Sequence, residues 1–290
     1  MLAHRRHATG RLLRAVAALV ERGKAGKLPT SAHWITESRL VFLRKKVSTT
    51  PRPIRVGELW RRVIAKRLVD ASRSSLRERF VGARQCGVAL PGGADVLVHA
   101  RRCCEAVAAD SEDAVVLLDL DLRNAFPSFE WSAVRDAVRR ERPELDAWTS
   151  WTHQAPARVR LPAGEWTSCD RGAEQGDPLG PVYCGLVLLG IAETAATAVA
   201  HSGSWCTDWW YMDGGQVVLP PSAAKRYLSA FDQSLAAVGG SRLDGDELKS
   251  TARLCGTAEA RAAALATWTE GVVETCRILT SSTPKVLGVG

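Results

Sequence analysis

The chain has 290 residues, a mass of 31.4 kDa and 46% hydrophobic side chains, enough for one large domain or two smaller ones and too apolar for wholesale disorder. A formal charge of +8 with a pI near 9.3 points to a polyanionic partner. Eight cysteines with no CxxC pair and no Cys/His knuckle spacing argue against zinc modules and, without a secretory signal, for reduced thiols in an intracellular protein.

In chain order, MLAHRRHATGRLLRAVAALVERG reads as a basic amphipathic helix, and residues 1 to about 45 as helical with a break at Leu28-Pro29-Thr30. VSTTPRPIRVG (47–57) suits an extended segment, since it combines two prolines with β-branched residues. In ELWRRVIAKRLVDASRSSLRERF (58–80), Leu59, Trp60, Val63, Ile64, Leu68, Leu76 and Phe80 keep helical spacing while arginines fill the other faces. From Arg39 to Arg84 there are 14 Lys or Arg against only Glu58, Asp70 and Glu78. That block is either a solvated basic face or a surface that tracks phosphates. GVALPGGADVLVHA (87–100) carries a Pro-Gly-Gly turn and leads into a helix through Arg101 and Ala108.

The centre of the chain is sharper. AVVLLDLDL (114–122) is a buried-strand run, and period-2 geometry puts Asp119 and Asp121 on one face, about 7 Å apart. A helix from about Trp131 to Arg140 and a Pro- and Gly-rich excursion from about Pro156 to Gly172 follow. The longest apolar run, Gly180 to Ala192, stops at Glu193 and is too short to span a bilayer; Gly185 to Val199 reads as a helix. WYMDGGQVVL (210–219) predicts a tight hairpin in which Gly214 accepts positive φ. A helix from about Ser222 to Val238 comes next, before the closing KVLGVG. An aspartate in an apolar strand is costly unless paired or metal-bound. Asp121 and Asp213 on adjacent strands would make a site for divalent metal, with oxygen ligands that suit Mg2+ and phosphoryl chemistry.

The motifs resemble the reverse transcriptase domain of non-LTR retrotransposons and group II introns. RPIRVGELWRRVIAK (52–66) is similar to the fingers motif that holds the incoming triphosphate. LDLDLRNAFPSF (118–129) is similar to motif A with its D-x-x-N-A-F pattern, EQGDPLGPVYCGLVL (174–188) to motif B, and WYMDGG to motif C. GDELKSTARL (245–254) and PKVLGV (284–289) are weaker matches to motifs D and E, so the resemblance covers residues 40 to 290.

The resemblance implies that Asp121 and Asp213 hold two Mg2+ ions, Mn2+ substituting, with the Leu122 carbonyl as a further ligand. Asp119 falls at a variable family position. Phe126 occupies the steric-gate position that excludes a 2′-hydroxyl, with plain core packing as the alternative. Gln175 and Gly176 would contact the templating base and the nucleotide. Arg52, with Lys45 or Lys46, would bind the triphosphate, and Lys249 would protonate the pyrophosphate as general acid; both Arg52 and Lys249 could instead be ordinary surface residues.

Gly214 stands where motif C has its second aspartate, which leaves a weakened site or a decayed copy. The chain ends just past motif E and no endonuclease domain precedes the fingers, so thumb and endonuclease are expected in a longer parent element. The expected fold is α+β: a polymerase right hand with fingers and an antiparallel palm sheet, thumb absent. Residues 1–110 form the fingers-like region with basic N-terminal helices. Residues 111–290 form the palm, with a finger-like excursion at about 150–172. The expected activity is RNA-directed DNA polymerase, adding deoxynucleotides to a primer 3′-hydroxyl. Its partners are an RNA template with a DNA primer and dNTPs, with no membrane, and a nuclear location is favoured for a eukaryotic element. An RNA-dependent RNA polymerase shares the palm, but Phe126 and QGDPLGP argue against it. The remaining alternative is a decayed, retroelement-derived nucleic-acid-binding domain.

Overall fold

A computed structural model describes residues 2–44, 51–174, 176–244, 247–248, 250–268 and 276–278. It divides into two compact units, Met1–Arg73 with Glu130–Leu186, and Ser74–Phe129 with Val187–Gly290. This division differs from a split at residue 110, because strand pairing ties the N-terminal segment to residues 157–169.

The first unit begins with helix Leu2–Lys24 and a 3-10 turn Thr30–Thr36. Ser38–Leu43, expected to be helical, is instead a strand. It pairs antiparallel with Arg52–Gly57 along its full length, from Ser38↔Gly57 to Leu43↔Arg52. The Pro- and Gly-rich excursion folds as a hairpin, Ala157–Arg160 with Trp166–Cys169. Its first strand joins Ser38–Leu43 in parallel and completes a four-stranded sheet. The 58–80 stretch breaks at Ser72: helix Leu59–Ala71 belongs to this unit, and helix Arg73–Gly82 falls in the second from Ser74 on. Indoles fill the core here. Trp148 stacks on Trp151 with ring centroids 5.5 Å apart, and the Trp151 N–H donates to the Leu28 carbonyl, anchoring the break before Pro29.

The second unit is built on a five-stranded sheet in the order Arg277–Ile278, Thr251–Cys255, Val115–Asp121, Gly214–Leu219, Thr207–Tyr211. All its pairings are antiparallel except the one between Arg277–Ile278 and Thr251–Cys255. Period-2 alternation gives the central strand two different faces. Val116, Leu118 and Leu120 are buried on one, where Trp210 stacks on Phe231 of helix Pro221–Ala237. The other carries Asp119 and meets Arg101 of helix Gly93–Ala109. Helix Gly180–Ala200 runs on past Glu193 to 21 residues, longer than expected and long and apolar enough to cross a membrane. Its most apolar 18-residue stretch is 67% buried within the protein, however, as in a core helix. Glu193 sits on its exposed side and pairs with Arg79 at 2.7 Å.

Candidate active site

Asp121 ends the central strand, and its rung partner is Gly214. Gly214 also pairs with Tyr211 in the next strand, so Met212 and Asp213 alone make the turn. The positive φ expected at Gly214 belongs instead to Met212, at 54°. The register explains this: Gly214 is already the first residue of a strand, where backbone is extended. Asp121 and Asp213 therefore stand at the same end of two adjacent strands. Gly215, the second glycine, serves packing. A Cβ there would lie 2.3 Å from the Trp210 ring, which crosses the strand at that rung.

One rung further in, Asp119 faces Gln216, whose amide donates to its carboxylate at 3.2 Å. Directly opposite residues share a face, so Asp119, Asp121, Gln216 and any side chain at position 214 point the same way. Asp119 is already engaged. Arg101 donates to it at 2.5 Å and the Thr251 hydroxyl at 3.3 Å. Burial lowers the Arg101 pKa, but the charges and hydrogen bonds of Asp119 and Glu105 outweigh it and raise the guanidinium above its ordinary value. Asp119 thus already has a fixed cationic partner in Arg101.

Leu122 follows with its side chain buried. Phe126 lies in the helical turn Ala125–Ser128, entered through Asn124 at φ 46°, and it is half-buried. Phe129, at 2% exposure, is the core phenylalanine of this motif. In the first unit Gly176 is exposed, and a Cβ added to it meets nothing within 4 Å. Arg52 is in a strand, but its side chain lies outside the described residues, as do Lys45, Lys46, Gln175, Lys249 and the PKVLGV stretch.

Two functional-looking contacts escape a sequence reading. Arg61, from the basic block, is 4% exposed and donates to Asp177 of QGDPLGP (2.7 Å) and to Glu174 (3.2 Å). Asp177 also accepts the Leu179 N–H at 2.9 Å. This buried arginine ties helix Leu59–Ala71 to the loop that carries QGDPLGP. Glu174 keeps one buried oxygen without a hydrogen-bond partner, and burial pushes its carboxyl up despite Arg61. The second contact is the buried side chain of Gln85, which reaches the Met212 backbone. Each links residues more than a hundred positions apart, so no local pattern announces it.

The donor set of Asp121, Asp213 and the Leu122 carbonyl is all oxygen. Among the described residues no group of three or more His, Cys, Asp or Glu gathers at one point. Mg2+ takes one or two carboxylates and keeps several waters, so a set this small fits it and does not fit zinc.

Comparison with solved structures bears on the arrangement. Apo telomerase from Candida tropicalis, truncated from its C-terminal domain, is similar with a TM-score of 0.50 at 10% identity. The fold is reverse-transcriptase-like. The match covers 78% of this chain and 51% of the other, so the chain spans about half of that telomerase's length. At such identity the likeness extends to the fold alone. No family model matches the chain, and no curated protein does.

Proposed function

We propose that the chain is an RNA-directed DNA polymerase domain, which joins deoxynucleoside triphosphates to a primer 3′-hydroxyl on an RNA template. The observation that carries this is the register of the central hairpin. It sets Asp121 and Asp213 at one end of adjacent strands, within a reverse-transcriptase-like fold. Asp121 and Asp213, with the Leu122 carbonyl, would hold Mg2+. When bound, the ions supply charge neutralisation at the triphosphate and the attacking oxygen. Phe126 would exclude a 2′-hydroxyl, and Gln175 and Gly176 would meet the nucleotide and its template base. Arg52 with Lys45 or Lys46 would hold the triphosphate, and Lys249 would donate the proton to pyrophosphate. The Arg61–Asp177–Glu174 cluster would keep the motif B loop rigid, so that positioning, not covalent chemistry, does the catalysis.

A second reading is favoured by one residue. Gly214 supplies no carboxylate opposite Asp121, which suits a domain that binds nucleic acid without extending it. Primer extension on poly-rA/oligo-dT with Mg2+ or Mn2+ separates the two. Extension that Asp213→Ala abolishes supports the polymerase. Binding of the hybrid without extension under either metal supports the relic.

A further inference from the structure

Gln85 lies outside the motifs quoted above, yet its side chain is wholly buried and hydrogen-bonds the turn of the hairpin. Its carbonyl oxygen accepts the N–H of Met212 and that of Gly87, each at 3.0 Å. Its amide group donates to the Met212 carbonyl at 3.1 Å. Both backbone polar groups of the residue before Asp213 are therefore closed by one side chain.

Met212 is also the strained residue of the turn. A non-glycine residue at φ 54° is sterically disfavoured and persists only where its surroundings over-determine it. Those surroundings are the segment from Arg84 to Gly87, laid along the hairpin as a brace. The Trp210 N–H donates to the Arg84 carbonyl (2.9 Å), and the Cys86 N–H donates to the Trp210 carbonyl (2.6 Å). Gly87 permits the approach, since a Cβ there would lie 2.3 Å from the Met212 nitrogen.

We propose that Gln85 is a positioning residue which, through the Met212 backbone, fixes where the Asp213 carboxylate stands beside Asp121 and so sets the affinity for a divalent cation. The inference rests on the reading of Asp121 and Asp213 as a metal pair. An aspartate has only two side-chain torsions, so its carboxylate follows the backbone. Groups that orient a ligand from behind are commonly worth ten- to a hundredfold in metal affinity.

The test is Mn2+ binding to the full chain, followed by electron paramagnetic resonance of the free ion, with thermal stability measured alongside. Gln85→Leu keeps the volume and removes all three hydrogen bonds. Gly87→Ala displaces the turn by pushing on the Met212 nitrogen from the same segment, and Gln85→Asn, one methylene shorter, serves if the leucine variant does not fold. Leu97→Ala, in the core of helix Gly93–Ala109, is the control for plain destabilisation. Asp213→Ala should lose the site, and the Gln85 and Gly87 variants should raise Kd about tenfold or more. Leu97→Ala should lower Tm with Kd unchanged. A Kd untouched by the Gln85 and Gly87 variants, or raised equally by Leu97→Ala, overturns this inference and leaves the metal pair standing. Wild-type protein without Asp213-dependent Mn2+ binding overturns the metal pair and this inference with it.

Discussion

Asp121 and Gly214 stand opposite each other on adjacent antiparallel strands, and a side chain at position 214 would share the face of the Asp121 carboxylate. Gly214→Asp would bring a second carboxylate to about 5 Å from the first, Cβ to Cβ. Without metal, two like charges on one rung cost up to about 1 kcal/mol. Gly214 is not in the left-handed region, so no backbone strain adds to this. The expected outcome is a metal-free Tm lower by about 2–4 °C, a larger Mg2+-dependent rise in Tm than wild type, and more primer extension. A folded variant with no gain in metal affinity or extension would move the defect away from motif C.

Ribonucleotide selection tests the half-buried Phe126. Phe126→Ala should raise incorporation of ribonucleotides relative to deoxynucleotides in single-nucleotide extension, with little change in stability, because Phe129 carries the core packing. An unchanged ratio together with a large drop in Tm would make Phe126 a packing residue.

What could be read from the sequence was what depends on local period and what a short motif spells. Alternation in AVVLLDLDL places Asp119 and Asp121 on one face, and Asp213 on a turn follows from WYMDGG. Register could not be read. It moves the positive φ from Gly214 to Met212, and it follows from pairing with a strand nearly a hundred residues earlier. Ser38–Leu43 is a strand and not the expected helix for the same reason: its partners are Arg52–Gly57 and Ala157–Arg160. Nothing local distinguishes Arg61 from the other basic residues of the Arg39–Arg84 block. Only tertiary packing brings it against Glu174 and Asp177. The apolar run that stops at Glu193 understates helix Gly180–Ala200, because Glu193 lies on the exposed side of a helix that continues beyond it.

Salt dependence tests the basic block, which is smaller in effect than its count. Arg61 is buried, and Lys66, Arg73, Arg79 and Arg84 pair with Asp70, Glu193 or Asp208. Arg62 and Arg67 remain exposed on helix Leu59–Ala71. Affinity for an RNA/DNA hybrid should fall steeply between about 50 and 200 mM salt, and an Arg62→Gln/Arg67→Gln variant should flatten the logarithmic slope by about two. Arg61→Gln should instead lower Tm. A slope unaffected by the double substitution would take this helix out of the interface.

Acid sensitivity of the first unit follows from His153. Its ring stacks on Trp131 at 4.4 Å, and burial, then the charges of Arg61, Arg135 and Arg55, push its pKa well below 6.5. A folded pKa below the unfolded one means that the contribution to stability is whole above pH 6.5 and is lost as pH falls toward the folded value. Glu174 runs the other way. Its raised pKa contributes stability below 4.5, which is lost as pH rises through the folded value. Denaturation midpoints between about pH 5 and 7 should fall with acid in wild type. His153→Phe, which keeps the stack, should flatten that difference. Parallel profiles for the two proteins would mean that His153 protonates without cost.

Gly176 offers the cleanest separation of fold from function. The residue is exposed, its φ is not positive, and an added methyl meets only open space. On the free protein, Gly176→Ala should therefore be neutral or slightly stabilising, by about 0.4–1 kcal/mol, through a stiffer unfolded chain. If a nucleotide or template base passes close to this backbone, the same methyl meets it and displaces it. A misplacement of about 1 Å is worth up to a hundredfold in rate, so KM for the incoming nucleotide should rise about tenfold while Tm holds or climbs. Stability and KM moving in opposite senses cannot come from damage to the fold. An unchanged KM in an equally stable variant would remove Gly176 from the substrate path and leave motif B with the structural role that Asp177 already fills.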